Sequence, residues 1–135
     1  MLIDKYLEEI QMIDSKIANK MYEMEVWKDI ANGSSGSSNG ERVQSTSSQQ
    51  KMANAVAKYT DIEREIEELK QKKIDFIHNI EKLSRTHYLL MHDIYIKGLS
   101  QTEVARNNKK SPSWASTIHS RAKMKLSKIM WGDKG

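Results

Sequence analysis

Four hydroxyls and a set of cations near the C-terminus hold most of the chemical capacity of this chain. If residues 112–130 form a helix, Ser113, Ser116, Thr117 and Ser120 share one face, continued by Met124 and flanked by Arg121 and Lys128. The opposite face carries Ala115, Ile118, Ala122, Leu126 and Ile129. Hydroxyls donate and accept hydrogen bonds at several base edges, and a threonine methyl suits a thymine methyl. Arg106, Lys109, Lys110, Arg121 and Lys123 suit phosphates, which fix orientation without reading sequence. Nothing comparable supports catalysis. The histidines are His78, His87, His92 and His119, and His87 and His92 stand about 140° apart on a helix, too far around to share a metal. There is no cysteine, which excludes disulfides and thiolate metal sites. No Gly-rich phosphate loop and no Ser/His/Asp motif is present. The expectation is a non-enzymatic protein with no cofactor and no metal.

Local signals say how these side chains are held. Ser100 and Glu103 have the S-x-x-E spacing of a capping box, in which the hydroxyl caps the N3 amide and the carboxylate reaches back to the N-cap amide. The box starts a short helix bearing Val104 and Ala105. Ser111-Pro112 is a second start, a serine N-cap followed by a proline whose missing N–H costs nothing at N1. Upstream, Ser84 or Thr86 caps a helix through about Lys97, with Tyr88, Leu89, Met91, Ile94 and Tyr95 as its apolar residues. Gly98 then stands where a helix C′ glycine belongs. A short helix, a turn and a longer basic helix make a helix-turn-helix. The small Ala105 permits close approach, with Ala115 and Ile118 packing back on Val104.

The rest of the chain reads as scaffold. Residues 2–31 place Ile3, Tyr6, Ile10, Ile13, Ile17, Met24 and Trp27 at alternating spacings of three and four, with Lys20 in the missing seam position. Residues 51–84 repeat the pattern at Tyr59, Ile62, Ile66, Leu69, Phe76, Ile80 and Leu83, interrupted at Lys73. Neither helix hides its seam alone, so the two must pack within one chain or between chains, which admits a homo-oligomer. Between them lies a Gly/Ser tract and polar sequence, a flexible loop over 32–50. The expected organisation is a long helical hairpin or coiled coil over 1–84 and a C-terminal helix-turn-helix domain over 85–135, all-α throughout. Residues 85–135 hold ten Lys/Arg against three acids, whereas 1–84 hold twelve against fifteen. A basic third on a mildly acidic body is the electrostatic footprint of a polyanion binder. No apolar run approaches the ~18 residues of a membrane span, and the opening residues lack the apolar core of an export signal, so a cytoplasmic location is expected.

Tyr95-Ile-Lys-Gly-Leu-Ser-Gln-Thr-Glu-Val-Ala105 and Trp114-Ala-Ser-Thr-Ile-His-Ser-Arg-Ala122 resemble region 4 of sigma factors, the part that reads the −35 promoter element. More closely, the chain resembles small phage and prophage late transcription regulators of sigma-region-4-like type, related to the ArpU and RinA activators. Gly40-Glu-Arg-Val-Gln-Ser45, Lys51-Met-Ala53, Ala55-Val-Ala57 and the positions of Trp114, His119 and Arg121-Ala122 look like that family's pattern. The resemblance implies a DNA-binding regulator acting on late genes in a bacterial host cell, with double-stranded DNA as partner and host RNA polymerase as a second contact. One departure stands out: where the family's turn carries apolar–glycine–apolar, this chain has Asn108, Lys109 and Lys110. A left-handed lysine costs ~1 kcal/mol or more, so the expectation is a longer or looser turn whose lysines supply phosphate contacts. Two other functions fit parts of the pattern. A phage terminase small subunit also joins a helix-turn-helix to oligomerising helices, usually in the opposite order. A coiled-coil adaptor would dock its basic domain on protein rather than DNA.

Overall fold

The computed structural model describes residues 2–33 and 46–132. The protein is all-α: α1 (Leu2–Ala31), α2 (Thr46–Ile80), α3 (Arg85–Tyr95), α4 (Gln101–Asn107) and α5 (Pro112–Trp131), with no strand among the described residues. No described helix is long and apolar enough to cross a membrane. Thr46–Gln50, expected within the loop over 32–50, belong to α2. Between Gly40 and Gly98 the sequence has no glycine or proline, and Gln49, Gln50 and Lys51 are good helix formers. Gln50 Nε2 donates to Asn54 Oδ1 at 3.1 Å, one turn on. The Gly/Ser tract from Ser34, and Gly40–Ser45 of the resemblance, lie outside the described residues. At its other end α2 stops at Ile80 rather than Leu83, where Leu83 N donates to Ile80 O at 3.0 Å in a turn.

Packing divides the chain into two units, one of residues 14–70 and one of residues 1–13 with 71–135. In the first, α1 and α2 run antiparallel. Lys20, the residue that breaks the α1 seam, donates to Glu65 Oε1 at 2.9 Å, and the Lys28 ammonium lies 5.9 Å above the Tyr59 ring. Ile62 and Ile66 are buried as the heptads require, and Ala55 joins them; Ile17, Met24 and Trp27 are only half-buried.

In the second unit α3, α4 and α5 share one core with the first turns of α1 and the last turns of α2. Ile3, Ile10, Ile13, Phe76 and Ile80 are buried as expected, and so is Leu7, which lies outside the strict seam but one turn from Ile3 and Ile10. Phe76 is fully buried, with the Tyr6 ring at 6.1 Å and the Tyr95 ring edge-on at 5.8 Å. Tyr6 in turn meets Trp131 edge-on at 6.0 Å. Aromatic pairs in such tilted and T-shaped arrangements add to what their burial contributes.

The register of α3 differs from the expected one. Ser84 is its N-cap residue, and the buried side chains are His87, Leu90, Met91 and Ile94, whereas Leu89 is 46% exposed and Tyr88 half-buried. With Met91 and Ile94 facing inward, the positions on the same helical face are 87 and 90, not 88 and 89. Gly98, at φ +79°, reverses the chain as its position predicts, and Leu99 N returns to Asp93 O at 3.0 Å.

Candidate nucleic-acid interface

The capping box at the start of α4 is complete. Glu103 N donates to Ser100 Oγ at 3.1 Å, and Ser100 N donates to Glu103 Oε1 at 2.9 Å. These bonds, the backbone one foremost, hold the Glu103 carboxyl below its ordinary value. The box fixes where α4 begins and so where buried Val104 and Ala105 meet α5. Ala115 is fully buried on the α5 side, as a close helix crossing demands.

The turn after α4 is tighter than expected. Lys110 N donates to Ala105 O at 2.8 Å and Lys109 N to Arg106 O at 3.1 Å. This 6→1 and 5→2 pair is a Schellman motif, and its C′ residue is Lys109, at φ +57°. Lysine accepts the left-handed backbone because two hydrogen bonds satisfy carbonyls that the helix end would otherwise leave bare. Asn108, the better left-handed residue, instead donates through Nδ2 to Val104 O at 2.7 Å. A left-handed non-glycine residue costs about 1–2 kcal/mol. A cation at a helix C-terminus returns about 0.3–1 kcal/mol, and Arg106 and Lys110 already stand there. On these magnitudes the turn would be more stable with glycine at 109.

Helix α5 starts as its sequence dictates. Ser111 Oγ accepts from Trp114 N at 3.2 Å, and Pro112 fills N1. The Ser111 and Ser113 hydroxyls are 3.1 Å apart, so the cap also orients Ser113. Ala115, Ala122 and Leu126 are fully buried, with Ile118 and Ile129 at the edge. Ser113, Ser116, Thr117 and Ser120 are all exposed, as are Arg121, Arg106, Lys109 and Lys110. The four hydroxyls lie on the first two turns and a half of α5, and the three turn cations precede its N-terminus in the chain. Further along, Arg121, Lys125 and Lys128 surround the 61%-exposed Met124 and line a cleft of about 210 Å3. Lys125 was not among the expected contacts, although its i+4 spacing from Arg121 puts it on the same side.

Lys123 does not belong with this group. Its Nζ donates to Asp4 Oδ1 at 2.6 Å, across 119 residues of chain, and its side chain is only 29% exposed. The bond from Lys123 is the main reason the Asp4 carboxyl sits below its ordinary value. A lysine already paired to a carboxylate and turned toward α1 is poorly placed to neutralise a phosphate.

Two histidines are structural. His119 Nε2 and the Tyr95 hydroxyl share a hydrogen bond at 2.7 Å, with the rings stacked at 5.9 Å. Burial, with Asp4 adding to it, pushes Tyr95 up to about 12. Burial and then Lys123 lower His119, against the pull of Asp4. His87 is 93% buried by its 7% exposure, and its Nδ1 has no hydrogen-bond partner. Burial first, then Lys125 and Arg121, depress its pKa. Among the described residues no group of three His, Asp or Glu side chains could hold a metal ion. Comparison of the chain with protein-family models, with curated proteins and with solved structures gives no match.

Proposed function

We propose that the chain is a sequence-specific double-stranded DNA-binding transcription regulator in which α4, the Schellman turn and α5 form a helix-turn-helix. One observation carries this reading: an exposed hydroxyl face at the start of α5, with exposed Arg121 on the same helix and exposed Arg106, Lys109 and Lys110 just before it in the chain, on a helix whose other face is locked into a core. A recognition helix enters the major groove with its N-terminal residues on base edges, and hydroxyl side chains with flanking cations are the groups that such a pose uses. The resemblance to sigma region 4 extends the reading to phage late promoters, where host RNA polymerase would supply the catalysis.

Binding of the whole chain to phage genomic fragments, measured over a range of salt, tests the proposal. Promoter fragments should be retained, and if about five cations meet phosphates, log K should fall with log[salt] at a slope of roughly −4 to −5. Retention of packaging-site fragments would instead favour a terminase small subunit. Absence of binding to any duplex would favour a protein-docking adaptor.

A further inference from the structure

Lys109 is the one described non-glycine residue with a left-handed backbone. It occupies a position that glycine fills without steric cost, its side chain is exposed, and among the described residues no carboxylate forms an ion pair with it or with Lys110, whereas Arg106 helps to lower the Glu103 carboxyl. The compensation available inside the fold is too small, because the α4 C-terminus already has two other cations within the motif. The two hydrogen bonds of the turn come from backbone N–H groups and would persist with glycine. What glycine would remove is the ammonium. We infer that Lys109 is a DNA-backbone anchor held in a strained turn, contacting a phosphate beside the groove that α5 enters. Its charge is kept at the expense of fold stability. This inference rests on the DNA-binding reading and deepens it: the turn is a backbone-contacting element, not merely a connection.

The placement suits the role. Lys109 is three residues before the first residue of α5. A cation there meets the strand at the edge of the groove, while Thr117 and Ser120 are one to two turns inside it. A long, flexible ammonium side chain tolerates small differences of phosphate position and reads no base.

Strain and contact make opposite demands on one substitution, so Lys109→Gly separates this role from a purely structural one. Thermal melts of the full chain should rise by roughly 2–8 °C in Lys109→Gly. On a mixed-sequence duplex the same variant should bind more weakly, with a log–log salt slope shallower by about one unit. Lys109→Arg should melt like wild type and keep the wild-type slope. A higher melt with an unchanged slope would sink the anchor while leaving DNA binding by the rest of α4 and α5 intact. A melt that is unchanged or lower would sink the claim of strain. If the wild-type chain bound no duplex at any salt, both this inference and the reading beneath it would fall.

Discussion

Asp4 and Lys123 meet at 2.6 Å, joining the first turn of α1 to the middle of α5. On the proposed DNA-binding reading, the contact takes Lys123 out of the cations available to phosphates. Lys123→Ala should therefore leave the salt slope of DNA binding unchanged, whereas a phosphate-contacting lysine would shift it by about one unit. The pair lies partly in solvent, so its loss should lower the melt only slightly. Asp4 is held below its unfolded pKa of 3.8, so its contribution is complete above that value and disappears as pH falls through the lower folded value. The melts of wild type and Lys123→Ala should accordingly converge in acid.

Thr117 and Arg121 should fail differently. Thr117→Ala keeps helix propensity high and should relax preference at one or two base pairs, by about 0.5–1.5 kcal/mol of discrimination for the loss of one neutral hydrogen bond, with little change in nonspecific affinity. Arg121→Ala should weaken all sequences alike and flatten the salt slope by about one unit. Binding-site selection and salt titration on each variant check this. Altered base preference in Arg121→Ala alone would mean that α5 is rotated in the groove.

His87 makes stability depend on pH. Its folded pKa lies below the unfolded value of 6.5, so the unfolded chain binds the proton first as pH falls. The stabilisation from a neutral His87 is complete above about 6.5 and is lost as pH drops through the folded value. His119 acts in the same direction. Urea melts from pH 8 to 5 should show this loss, and His87→Leu should reduce it. Because Nδ1 makes no hydrogen bond, the variant should be neutral or slightly stabilising at pH 8. An undiminished pH dependence would mean that His87 is not the group responsible.

Phe76→Ala should cost about 3–5 kcal/mol, since its ring is fully buried between Tyr6 and Tyr95. By the same logic, residues 85–135 alone lack Ile3, Leu7, Phe76 and Ile80 of the shared core. That fragment should show no cooperative melt by circular dichroism, and a sharp transition would show that α3–α5 need no support from α1 and α2.

Local chemistry was the legible part of this sequence. Ser100, Glu103, Ser111 and Pro112 act within three residues of themselves, so spacing suffices to find them, and the exposed Ser113–Ser120 face follows once α5 has its start. The all-α class follows from the two heptad seams. The inward face of α3 was not legible, because its buried His87 looks polar and its exposed Leu89 looks apolar. Leu7 was hidden by a heptad rule that admits fewer positions than a globular core does. The strain at Lys109 was visible as a cost, but the Schellman hydrogen bonds that make it tolerable depend on where α4 ends. Lys123 illustrates the general limit: its partner is 119 residues away, and no periodicity links them.

That separation also sets an order of events during synthesis. At about 5–20 residues per second, the ribosome needs roughly 6–24 s after Asp4 emerges to deliver Lys123, and longer to deliver Trp131 to Tyr6. Until then Asp4 and Tyr6 lack their α5 partners. Helix α1 is thus synthesised well before the α5 side chains that complete its contacts.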